Sequence, residues 1–365
     1  YLLGLELGLE KAADMGAKIL LAEARRIFHP SGVLREGSSH YHLLLTRNYA
    51  SAWLMAMSHG RPEEEPLREI AGKALAVIPH LVLPGGLPLV GDISPDCPPE
   101  FLSALIAGEA GWVSLLDEVA KRALLGLRDS RLDVFTEDLQ KAGWLKAGFG
   151  PWSGLWRAEP EGWIHMPGHG HQDCGGFDLH YQKSPVFIDP GRGAYGETGG
   201  AAFHRSGQAH NTVLVDGKDP YPPNKPYYDA IFRRLVGGSP PQLRRDLNSV
   251  SLRHHGYARL GGVGALSRNW RFTDSSLTIA DKLAGDSARL VTRLLHTPMD
   301  AEKDGGAVIL RGGNAVFRLR APDGGISLRP ATQWLAYGEG RPITAIEITG
   351  ECGLPWSSSL ILEVL

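Results

Sequence analysis

The hydrophobic pattern changes its period about a third of the way along the chain, and that change limits the folds open to it. At the start, apolar residues recur at helical spacing: Leu2, Leu3, Leu5, Leu9, Ala12 and Ala13, then Ile19, Leu20, Leu21 and Ala24. A turn follows at His29-Pro30-Ser31-Gly32. Further helices are predicted over residues 41–57 and 66–78, with one or two more over 99–125. A Gly/Pro-rich excursion at 83–99 separates them. It is expected either to cap helix ends or to carry function, as long loops often do. From about Val134, short apolar runs alternate with Gly, Pro, Asn and Asp, as in Val186-Phe187-Ile188, Thr212-Val213-Leu214-Val215 and Ala315-Val316-Phe317. Such runs predict antiparallel strands packed as a β-sandwich. Helices first and strands afterwards imply two segregated domains, 1–128 and 133–365, with a boundary near Arg128-Asp129-Ser130.

Composition excludes some partners and leaves others open. The 365 residues carry a formal net charge of −2, which gives no general case for nucleic-acid binding. Local charge differs: Arg192, Arg205, Lys218, Lys225, Arg233 and Arg234 crowd one region and would suit an anionic ligand, or else form a solvated loop. No apolar run reaches membrane-spanning length. Cys97, Cys174 and Cys352 are too scattered for a disulfide framework or a metal knuckle. This usage fits a reducing compartment without excluding the periplasm. The chain opens inside a helical pattern without a Met, so upstream sequence is expected.

The chemistry concentrates in three segments: Gly168-His169-Gly170-His171-Gln172-Asp173, Phe187-Ile188-Asp189-Pro190-Gly191 and Ala209-His210-Asn211-Thr212. On strands or strand edges, His169, His171 and Asp173 would project to one side. Two imidazoles and a carboxylate drawn from separate strands make a divalent-metal site of the kind zinc favours, and a remaining histidine could do acid/base work. The alternative is a set of hydrogen-bonded histidines lining a turn. A metallohydrolase motif, His-x-His-x-Asp-His, competes, but Cys174 stands where it needs a sixth-position His. Trp144, Trp152, Trp156 and Trp163 could stack on sugar rings or fill a core, and at least half are expected to be core. The loop from Asp219 to Tyr228 could touch substrate or only cover a sheet edge.

Taken together, these segments resemble the heparinase II/III-type polysaccharide lyases, along with Tyr195, Phe203-His204-Arg205-Ser206 and the helical stretch Glu36-Gly37-Ser38-Ser39-His40-Tyr41-His42. The resemblance implies an N-terminal α/α toroid, only partial here, followed by an antiparallel β-sandwich. It implies β-elimination on a uronate-containing glycan, giving a 4,5-unsaturated end. It assigns zinc to His171, Asp189 and His210, in a structural role. It makes Tyr41 the general acid, and His169 a base or the neutraliser of the substrate carboxylate. Tyr195 and Arg205 would line the cleft, and Asp173 would support the ligands or lie in a surface turn. An anionic polysaccharide is the implied partner, and a bacterial periplasmic or secreted location is implied, with the cytoplasm open. The family's Asn, tens of residues before the tyrosine, would have to lie upstream of Tyr1. A non-catalytic glycan-binding relative and a zinc metallohydrolase stand as the alternatives.

Overall fold

The computed structural model describes residues 1–130, 134, 136–165 and 168–365. Residues 131–133, part of the predicted boundary, lie outside the described residues. The first part is helical: Leu2–Glu6, Glu10–Ile27, Ser39–Ser58, Glu64–Leu81 and Glu118–Asp129. The predicted 99–125 helical stretch divides into two short 3-10 segments, Pro99–Leu105 and Gly111–Leu115, before the last of these helices. Pro98, Pro99 and the positive-φ Gly108 and Gly111 prevent one continuous helix. Helix Ser39–Ser58 is the centre of this part. Its Leu43, Ala50, Trp53 and Leu54 pack with Leu67, Ala71 and Leu75 of the following helix.

The remainder is antiparallel sheet. A four-stranded sheet runs from Trp144–Phe149 through Trp152–Arg157 and Phe177–Tyr181 to Ser184–Phe187. A second four-stranded sheet and an eight-stranded sheet share one core, in which Leu295, Ile346 and Ile348 meet Trp270, Ile279, Phe317 and Leu360. A single sandwich is therefore too simple, since the first sheet packs into the same core through Trp152, Trp156 and Phe187. Among the described residues, helices also occur in the β part: Thr136–Lys141 ahead of the first strand, and Gly199–Phe203 and Ala230–Gly237 between later strands. No described helix is long and apolar enough to cross a membrane. The three cysteines are unpaired.

All four predicted sugar-stacking candidates are core residues, so the stacking alternative is corrected. Trp152 and Trp156 have no exposed surface, and Trp144 and Trp163 are 3% and 4% exposed. Strand Trp152–Arg157 is buried at every position but Ser153, its Trp156 packing on Trp270 and Phe272, and Trp163 and Trp144 join the neighbouring apolar clusters.

The helical and β parts meet along a cluster of their own. Val33, Val77, Leu81, Leu83 and Val90 pack against Leu139, Ala142, Trp144 and Leu155. Lys146 donates across the junction to the Pro79 carbonyl at 2.9 Å. The excursion at 83–99 runs along this seam and carries residues into the site.

Candidate active site and metal centre

Tyr41 sits in the first turn of helix Ser39–Ser58. Ser38 caps that helix: its hydroxyl accepts from the Tyr41 N–H at 3.0 Å and donates to the Asp92 carbonyl at 2.7 Å. One side chain therefore starts the helix and ties down the excursion. Gly91 precedes Asp92 with φ +78°, and a Cβ there would lie 2.8 Å from the His169 carbonyl. Only glycine permits that close approach.

The segment 168–173 is not a strand, which corrects the sequence expectation. Its alternating His-x-His-x-Asp resembles strand periodicity, but its backbone is held by the helical part. The His169 N–H donates to the Glu36 carbonyl at 2.8 Å, and the His169 carbonyl accepts from the Asp92 N–H at 2.9 Å. Asp189 follows strand Ser184–Phe187, and His210 lies in the loop before strand Val213–Val215. The site is built on loops anchored at strand ends.

Tyr41 and His169 meet across the two parts of the molecule. Their rings stack with centroids 3.5 Å apart and planes at 13°. The Tyr41 hydroxyl bonds the Tyr195 hydroxyl at 2.9 Å. Tyr195 stacks on Tyr337 and lies under the Arg192 guanidinium, 4.3 Å from its ring centroid. Burial raises the Tyr41 pKa above its ordinary value, against hydrogen bonds from Tyr195 and Ser94 that lower it. The phenol is therefore protonated at neutral pH, which suits an acid.

Asp92 is the residue that sequence reasoning missed. Its carboxylate accepts from His169 Nδ1 at 3.1 Å, His171 Nε2 at 2.7 Å and Arg192 at 2.7 Å. Burial would raise its pKa, but these three donors together hold it far below the carboxylate range. With Nδ1–H committed to Asp92, His169 presents Nε2 as the basic nitrogen; that atom lies 3.5 Å from Glu36. The only available signal was the length and glycine content of the excursion. In the sequence, Arg192 stands only as one of the six cations crowded between 192 and 234. Arg205 does not join the cluster: it pairs with Glu197 at 3.3 Å.

Behind this wall the metal candidates are buried together. His210 Nδ1 donates to Asp189 at 2.8 Å, while His171 Nδ1 faces His210 Nε2 at 3.1 Å. Each ring gives its outer N–H to a carboxylate. Two neutral rings would therefore point bare lone pairs at each other, so a proton or a cation must intervene. Without a metal the proton falls to His210: burial lowers its pKa, but Asp189 beside it raises it to about 9. Two nitrogens bound to one zinc at its usual distance lie about 3.3 Å apart, close to the observed spacing. Asp173, Asp189 and His210 can also bring one ligand atom each within 4.8 Å of one another. Asp173 is thus neither a surface carboxylate nor remote from the ligands; it is buried among them. The group whose ligand atoms converge among the described residues is Asp173, Asp189 and His210, without His171, and its imidazole and carboxylate donors are of a kind that suits a divalent cation. Cys174, where a hydrolase motif would place a histidine, lies in the apolar core instead.

The geometry can be set beside known proteins. No curated protein sequence matches the chain. Among solved structures, a heparinase III aligns at a TM-score of 0.68 and 16% identity, covering 98% of this chain and 57% of that one. A heparan sulfate lyase from Pedobacter heparinus aligns at 0.63 and 15%, covering 96% and 55%. A second heparinase III gene product aligns at 0.63 and 16%, covering 96% and 55%. At these identities the likeness is one of fold, and the chain spans little more than half the length of those structures. Residues 136–354 match a family described as heparinase II/III-like, C-terminal. That match takes in His169, His171, Asp173, Asp189 and His210 and covers more than half of the sequence: the chain belongs to the heparinase II/III-like C-terminal family.

Proposed function

We propose that this protein is a polysaccharide lyase that cleaves a uronate-containing glycan by β-elimination, in a cleft between the β part and a partial α/α toroid. The observation that carries the reading is the stack of Tyr41 on His169, an acid and a base from different parts of the molecule held face to face. His169 Nε2 takes the C5 proton. The electrons of that C–H bond form the C4–C5 double bond, the C4–O bond breaks, and the leaving oxygen takes the Tyr41 proton. Tyr195 fixes the Tyr41 hydroxyl and contacts the sugar. Arg205, at the rim, exchanges Glu197 for an anionic group of the substrate.

His171, Asp189 and His210, with Asp173 beside them, would hold a zinc ion. Bound there, zinc supplies a positive charge that locks both histidines and stiffens the wall bearing His169. The structural neighbours, named as heparinases and a heparan sulfate lyase, support an anionic polysaccharide as partner, and a periplasmic or secreted location is proposed with that partner.

The test is incubation of the full-length protein with heparan sulfate, hyaluronan and alginate while ultraviolet absorbance of the unsaturated uronate is followed. An absorbance rise that disappears in Tyr41→Phe supports the proposal. Shortened chains without the double bond would point to hydrolysis, and no cleavage with zinc bound would point to a glycan-binding role.

A further inference from the structure

The eight-stranded sheet has a solvent face with a one-sided charge pattern. Strands Gln242–Arg245, Ser249–His254, Val263–Thr273 and Ser276–Gly285 lie side by side at one end of it. Their inward residues, among them Leu243, Leu252, Trp270 and Ile279, fill the core. The outward ones are set by the register. Arg244 lies opposite Ser251, which lies opposite Asn269. Arg253 lies opposite Ser267, which lies opposite Lys282. Arg271 lies opposite Ser249 on one side and Thr278 on the other.

Arg244, Arg253, Arg271 and Lys282 are all exposed, and among the described residues none of them forms an ion pair. The other outward positions on these four strands are Ser, Thr, Asn, Gln and Ala, with no carboxylate and no aromatic ring. Within these four strands the acid Asp281 points inward, where it pairs with the buried Arg268; other carboxylates lie at the margin, among them Asp246 just past the strand of Arg244 and Glu363 on the adjoining strand, where it pairs with Arg320. A chain with net charge −2 thus gathers four cations on one sheet face, with carboxylates only at its edges. Arg253 and Lys282 sit two strands apart, about 10 Å, and a depression of about 400 Å³ runs between Arg244, Arg253 and Lys282.

We propose that this face is a second binding surface for an extended polyanionic polysaccharide, one bearing sulfate or carboxylate groups. It shares no residue with the Tyr41–His169 cleft. The cations meet the anionic groups, and the short hydroxyl and amide side chains between them meet sugar hydroxyls without obstructing the chain. The absence of aromatic rings disfavours single-stranded nucleic acid, whose bases would need stacking partners. The ligand class follows from the substrate class proposed above, but the surface does not depend on lyase chemistry.

The full-length protein carrying Tyr41→Phe, to suppress turnover, is titrated against end-labelled heparan sulfate and a DNA duplex at fixed ionic strength. Replacing Arg244, Arg253, Arg271 and Lys282 together by Ser is expected to weaken heparan sulfate binding by about tenfold or more and to flatten its salt dependence. Replacing the three arginines by Lys is expected to restore most of the affinity. An unchanged affinity in the Ser variant overturns the proposal. Equal loss in the Ser and Lys variants overturns the electrostatic account, and tighter binding of DNA through the same residues overturns the ligand class. Because binding is read without turnover, failure of the lyase reading would appear separately, as an intact wild-type protein that binds but releases no unsaturated product.

Discussion

Asp92 carries three partners on one buried carboxylate, and two of them are histidines that serve different ends of the site. Asp92→Asn keeps the shape but replaces one acceptor oxygen by an amide donor. His169 then loses the bond that fixes Nε2 as its basic nitrogen, or His171 loses the bond that aims Nδ1 at His210. Outer partners of this kind are typically worth about 10–100-fold in activity or metal affinity. The variant is expected to lose turnover by that factor while remaining folded, as kcat and zinc content measured together will show. Substitutions at the proposed ligands separate the two ends further. His169→Ala should abolish product formation with zinc retained, whereas His171→Ala should release zinc. Metal analysis giving the reverse pattern would overturn the assignment of roles.

At the scale of elements, the helix carrying Tyr41 and the excursion carrying Asp92 act as one unit through Ser38. Ser38→Ala removes the cap on the Tyr41 N–H and leaves the buried Asp92 carbonyl without its donor. A loss of about 1–2 kcal/mol of stability is expected, with a fall in kcat because Tyr41 and Asp92 are both displaced. Thermal unfolding and kinetics on the same preparation test the two effects, and a stable variant of full activity would show that the link is dispensable. These elements also differ in how far sequence exposes them. Helix Ser39–Ser58 and strand Ala315–Arg320 were legible because burial imposes a period on their apolar residues. Asp92 was not, because a lone acid in a loop has no period and its partner His169 is 77 residues away. Segment 168–173 misled for the opposite reason: alternating side chains imitated a strand, while the backbone bonds that shape it come from Glu36 and Asp92. Asp173 was legible as either a support for the ligands or a surface-turn carboxylate, and folding decides between them by burying it beside Asp189 and His210.

Across the whole molecule, buried neutral histidines tie stability to pH. His42 lies under the helical part, with Nε2 donating to the Ala74 carbonyl, and burial pushes its pKa down to about 4. His180 faces the seam, its Nδ1 accepting from the Gly85 N–H at 3.1 Å, and burial takes it also to about 4. His254 lies inside the β part, where burial and nearby cations lower it to about 3. The unfolded chain takes up protons at these positions near the ordinary histidine value of 6.5, while the folded protein refuses them until much lower pH. Depressed folded-state values mean that their stabilisation is complete above pH 6.5 and is lost as pH falls toward 4. Each such histidine can cost up to ~1.4 kcal/mol per pH unit inside that window. Because the three sit in the helical part, at the seam and in the β part, no region escapes the penalty, and the protein is expected to lose stability steeply below neutrality. Denaturant titrations at pH 7, 6 and 5 should show the midpoint falling at each step. His42→Gln, which keeps a donor toward Ala74 but does not titrate, should flatten the slope relative to the parent whatever its effect at pH 7. An equal slope in parent and variant would move the acid sensitivity away from this histidine.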